Sequence, residues 1–71
     1  MKKFTVTVEE FDEFFGDIVY MRTVSKSEPM DYLDALATAQ QSASNHLPQD
    51  YRVYINEVNH WNEVKHRERV A

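Results

Sequence analysis

Between Val8 and Asp17 the chain reads VEEFDEFFGD, which places five carboxylates (Glu9, Glu10, Asp12, Glu13 and Asp17) around Phe11, Phe14 and Phe15. Paired carboxylates do acid–base work only in a water-excluded pocket that drives their pKa values apart, and nothing in this run builds one. A dense set of solvated acids does something else. It raises a negative field that speeds encounter with a basic surface. The rings are expected to turn inward, with Phe11 and one of Phe14 and Phe15 closing the end of a thin core. The acids are expected to stay in water.

The other candidate groups are sparse. His60, Glu63 and His66 are three residues apart, so on a helix the two histidines stand about 240° from each other, whereas metal-binding histidines usually share one face at i, i+4. His46 belongs at a helix end, where it satisfies late carbonyls. One glycine and no cysteine exclude a glycine-rich phosphate loop, a thiolate metal site and a disulfide. No catalytic residue, metal set or cofactor site is therefore expected. Arg52 and Tyr54 fall on the polar side of a strand and are residue types enriched in interface hot spots. They join the five acids as expected partner contacts, as anchors on an edge strand.

The elements that must carry these residues follow from periodicity. Residues 3–9 alternate Phe4, Val6 and Val8 against Thr5, Thr7 and Glu9, the period of a half-buried strand. Residues 18–24 are β-rich with apolar groups on both sides, the pattern of a more central strand, and Gly16 with Asp17 marks the turn between the two. A helix is expected over about 29–46, with Pro29 at its first position, Glu28 as cap, and Met30, Leu33, Leu36, Ala37, Ala43 and Leu47 as its apolar stripe. Residues 51–58 return to period two, with Tyr51, Val53 and Ile55 on one side. After a helical crossover this strand is expected to run parallel to one preceding the helix. Tyr20 and Tyr51 are expected in the core. Residues 59–71 fit a short helix, through Trp61, Val64 and a Glu63–Arg67 pair, or an extra strand, with the helix preferred.

This is the plan of one α+β domain, a small ββαβ unit with one three- or four-stranded sheet and a single helix on one face, its core within 3–58. Seventy-one residues bury only about 60% of their unfolded surface. Four Phe, four Tyr and one Trp supply the large side chains that such a core needs. The formal charge is −4, all of it in residues 1–34. Direct nucleic-acid binding is not expected of so acidic a chain, and the tail Lys65, Arg67 and Arg69 is offset by Glu63 and Glu68. No apolar run follows Lys2 and Lys3, and none approaches the ~18 residues of a membrane span. The expectation is a cytoplasmic protein, a monomer or weak dimer.

The opening KKFTVTVE, the helix LDALATAQQ and the final PQDYRVYINEV resemble the small host RNA polymerase inhibitor of T7-like phages. The resemblance covers residues 2–58. It implies a ββαβ fold and a function of occluding host RNA polymerase, with Glu9 at the position of that family's contact glutamate. Where the family carries contact arginines this chain has Ile55 and Glu57, and Arg52 is the basic residue nearby. FTVTVEE with an Ala-Leu helix also resembles, more faintly, the antitoxin half of HicAB-type pairs. The function these features imply is non-enzymatic: an acidic surface that binds and inhibits a larger protein, such as host RNA polymerase or a nucleic-acid-binding defence protein. The alternative is an antitoxin-like or nucleic-acid-mimic module.

Overall fold

The computed structural model describes residues 1–71. Four strands, β1 (Lys3–Phe14), β2 (Asp17–Lys26), β3 (Tyr51–Val58) and β4 (Val64–Arg69), and one helix, α1 (Tyr32–Ser44), follow in the order β1-β2-α1-β3-β4. The sheet is antiparallel throughout, with spatial order β2-β1-β3-β4. The strand β3 runs in the direction of β2, as the crossover requires, but β1 lies between them.

The core forms where one face of β1 and β3 meets α1. Val6, Val8, Val53 and Ile55 pack on Ala35 and Ala39, with Phe4, Met30, Leu36, Ala43, Tyr51, Val70 and Ala71 at the margin, so the core reaches beyond the expected residues 3–58 to Ala71. Alanines at i and i+4 let the helix lie close on the sheet, so β-branched strand residues supply most of the apolar volume. The helix is turned relative to the expected stripe. Leu33 is 76% exposed and Leu47 and Ala37 also face solvent, because the buried face centres on Ala35 and Ala39, from which Leu33 points away.

The helix also starts later than Pro29. Asp31 is the N-cap and accepts a hydrogen bond from Asp34 N at 3.0 Å, as short polar side chains do best at that position. Met30 is extended and exchanges two 2.8 Å backbone hydrogen bonds with Phe4, which pulls residues 28–30 onto the sheet. At the other end His46 Nδ1 donates to Ser42 O at 2.8 Å, the helix-end role its position suggests.

Four further expectations are corrected. Residues 59–71 form a turn and a strand, not a helix. Asn59 Oδ1 accepts from the N–H groups of Trp61 and Glu63, and Asn62 takes φ 62°, so an asparagine-built turn sends β4 back along β3. The tail then stays on β3 past the strand end, where Val70 N donates to Val53 O at 2.8 Å. Consequently β3 is interior, and Arg52 and Tyr54 are not on an edge. The strand β2 is an edge, as β4 is on the other side, instead of a central strand, and every residue in it is exposed, Tyr20 included. Its apolar residues on both sides have no helix above and no strand beyond.

Candidate functional site

The stretch VEEFDEFFGD is the outer half of β1 and the turn into β2. The strand β3 ends beside Glu10, its partner being Tyr51. Beyond that only β2 accompanies β1, apart from one hydrogen bond from Phe11 N to Asp50 O at 2.8 Å. Residues 12–20 thus form a two-stranded arm reaching past the core of a molecule 43 × 24 × 16 Å in extent. The arm closes on Phe15 and Gly16, with φ 52° and 85°, the two positive values that a two-residue type I′ hairpin turn needs. Glycine takes such a φ freely; a non-glycine residue there costs about 1–2 kcal/mol. Phe15 is 105% exposed and Phe14 is largely exposed too, so neither closes the core. Only Phe11 is half-buried, edge-on to Tyr20 at 5.8 Å.

The five acids do not form one surface. Strand alternation sends Glu10 and Asp12 to the helix side of the sheet and Glu9 and Glu13 to the opposite side. Glu9 forms a 2.6 Å ion pair with Arg67 and its side chain is only 12% exposed. Glu10 forms a 2.8 Å pair with Arg22. Their hydrogen bond first, and their charges second, hold the Arg22 guanidinium above its ordinary value. Asp12 accepts from Glu13 N at 2.8 Å, and the carboxylates of Asp12, Glu13 and Asp17 make no ion pair. The arm therefore presents three unpaired acids beside exposed Phe14, Phe15, Ile18, Val19 and Met21. At its root a cleft of about 270 Å³ is lined by Glu10, Asp12 and Asp50 together with Phe11, Met21 and Tyr51.

Arg52 and Tyr54 sit on the sheet face that α1 does not cover, with Glu9 directly across from Arg52. The Arg52 guanidinium lies over the Phe11 ring at 4.2 Å, and Arg67 lies over Tyr54 at 3.8 Å. Arg67, expected to pair with Glu63 on a helix, pairs with Glu9 across the sheet instead, a role that sequence reasoning missed. Besides Glu9 it donates through Nε to Asn56 Oδ1 at 3.0 Å, and Asn56 Nδ2 donates to Thr7 Oγ1 at 3.0 Å. Thr5, Thr7 and Asn56 are buried on this polar face with every buried side-chain polar atom partnered. The only sequence signal was the alternation of Thr5 and Thr7 against the valines, which looks the same for solvated threonines.

No group of three or more His, Asp or Glu gathers as a metal site would require, and no helix is long and apolar enough to cross a membrane. These features define a small α+β domain with an arm and an uncovered sheet face. No protein-family model, curated protein or solved structure matches the chain.

Proposed function

We propose that this chain is a non-enzymatic binding protein that inhibits a larger protein by occlusion, with the β1–β2 arm as its contact. The observation that carries the proposal is the arm itself. A two-stranded hairpin with both faces in water is marginal alone, yet this one holds unpaired Asp12, Glu13 and Asp17 beside exposed Phe14, Phe15 and Ile18. Such a strip suits a groove that is apolar at its floor and basic at its rim. The cleft at the root of the arm has carboxylates above and apolar walls, which suits the stem and head of a partner's lysine or arginine. The resemblance to the phage inhibitor of host RNA polymerase points to a nucleic-acid-handling partner, since such proteins carry basic grooves.

The test is quantitative capture of host RNA polymerase with the intact protein and two variants. One carries Asp12→Asn, Glu13→Gln and Asp17→Asn; the other carries Phe14→Ser and Phe15→Ser. All the substituted side chains are exposed, so thermal unfolding should stay close to that of the parent while both variants lose capture. The association rate with the parent should fall as salt shortens the Debye length from about 10 Å at 0.1 M. Capture that survives both sets of substitutions, or an association rate indifferent to salt, would remove the arm from the contact.

A further inference from the structure

We propose that the sheet face opposite α1 is a binding platform for single-stranded nucleic acid. The chain's charge of −4 conceals how that charge is divided. Strand alternation and the observed register place Lys3, Lys26, Arg52, Arg67 and Arg69 on the uncovered face, against two carboxylates, Glu9 and Glu13. Glu9 is already paired with Arg67, whereas Lys3, Lys26 and Arg52 form no ion pair and Arg69 donates through Nε to Ala71 O at 3.2 Å and pairs with no Asp or Glu. The helix side carries the excess acid, in Glu10, Asp12, Asp31, Asp34, Glu57 and Glu68. One face is thus cationic on a protein that is anionic as a whole, and a basic face is the footprint of nucleic-acid binding wherever net charge is unevenly spread.

Charge alone would suit any anion. The aromatic groups narrow the occupant. Across β2, β1 and β3 run Tyr20, Phe11 and Arg52, joined by the 5.8 Å ring pair and the 4.2 Å guanidinium–ring contact. Beside them stand Tyr54 and Arg67 at 3.8 Å. Rings and guanidinium planes in a row on a sheet are what unstacked bases pack against. A duplex hides its base faces and offers this surface phosphates only. Next to the row lies a groove of about 370 Å³, floored by Thr5, Thr7 and Asn56 and walled by Lys26, Arg67 and the Glu9 carboxylate that Arg67 neutralises. The cations of its walls can meet a phosphate, while the buried floor groups are partnered to one another and to Arg67 and serve to hold the walls in place. The platform shares Tyr20 and the carboxylate of Glu13 with the arm, but the tip acids Asp12 and Asp17 and the turn residue Phe15 take no part in it.

The experiment is fluorescence anisotropy of the intact protein with a labelled oligothymidylate of about 12 nucleotides, within the usual site size for a single module, at about 50 mM salt. Saturable binding is expected. Its log–log salt slope should be near −2, at about −0.7 per phosphate for single strands, with Lys26, Arg52 and Arg69 as the contacts. Lys26→Glu, on an exposed strand, and Arg52→Ala should each weaken binding about tenfold, the size of one lost stacking or phosphate contact. The Asp12→Asn, Glu13→Gln, Asp17→Asn variant should bind at least as well as the parent. Circular dichroism establishes that each variant is folded, and Lys26→Glu decides the matter if Arg52→Ala is not. Absence of saturable binding overturns the proposal. So does equal displacement by a duplex of the same length or by polyglutamate, and so does undiminished binding by folded Lys26→Glu.

Discussion

Replacing Arg67 with Ala should destabilise this domain more than any exposed charge normally does. Three contacts end together: the 2.6 Å pair with Glu9, the 3.0 Å hydrogen bond to Asn56 and the stack over Tyr54 at 3.8 Å. An exposed ion pair contributes about 0.2–1 kcal/mol, a hydrogen bond to a charged group about 1.5–3 kcal/mol and an exposed cation–π contact about 0.5–1 kcal/mol. The Arg67 side chain is 41% exposed, so solvent screening takes each toward its lower end, and the sum is about 2–3 kcal/mol. For 71 residues, total stability at the usual per-residue value is roughly 4–11 kcal/mol, so the loss is a large share. The assay is urea unfolding of Arg67→Ala, Glu9→Gln and the double variant. The Arg67–Glu9 coupling should come out near ~1 kcal/mol. Arg67→Lys should fall between parent and Ala, because an ammonium reaches Glu9 but cannot also donate to Asn56 in the fork geometry of a guanidinium. A loss below ~0.5 kcal/mol for Arg67→Ala, or additive single variants, would refute the idea that this side chain clamps β4 to β1 across β3.

Leu33→Ala should change stability by less than ~0.5 kcal/mol, whereas Ala39→Leu should cost about 1–3 kcal/mol by forcing the helix off the sheet; thermal melts of the two settle which helix face is buried. Tyr32 donates its hydroxyl to Glu68 at 3.0 Å, and that bond, then burial, then the carboxylate charge raise the phenol above its ordinary value. The folded state holds this proton more tightly than the unfolded chain. The stabilisation is therefore complete below the ordinary tyrosine value of about 10 and disappears as pH rises through the folded value. Ultraviolet titration of the tyrosines should show one late phenol that moves back toward the others in Glu68→Gln; an unchanged titration would mean that the bond does not hold in solution.

Local pattern alone determined much of this molecule. Period two in residues 3–9 and 51–58, and the glycine at position 16, were enough to place β1, β3 and the hairpin turn, because alternation and positive φ are properties of a few consecutive residues. The same pattern put Val6, Val8, Val53 and Ile55 together in one core. It was also enough to predict a helix between the second and third strands, though not its rotation: Leu33, Leu36 and Ala37 compete with Ala35, Leu36 and Ala39 for the buried face. The decision comes from how closely a sheet rich in valine lets the helix approach, which favours the two alanines. Strand position was equally illegible. IVYMRTV has the composition of a central strand, and it lies at the edge because β3 pairs with β1 and leaves β2 one neighbour. The site divides in the same way. The acids of VEEFDEFFGD were visible as a cluster, but their distribution between two faces, and the neutralising of Glu9 and Glu10 by Arg67 and Arg22, depend on residues up to 58 positions away. The net charge of the chain is a sum and carries no direction. Only the sheet, by sending alternate side chains to opposite faces, separates the cations from the acids.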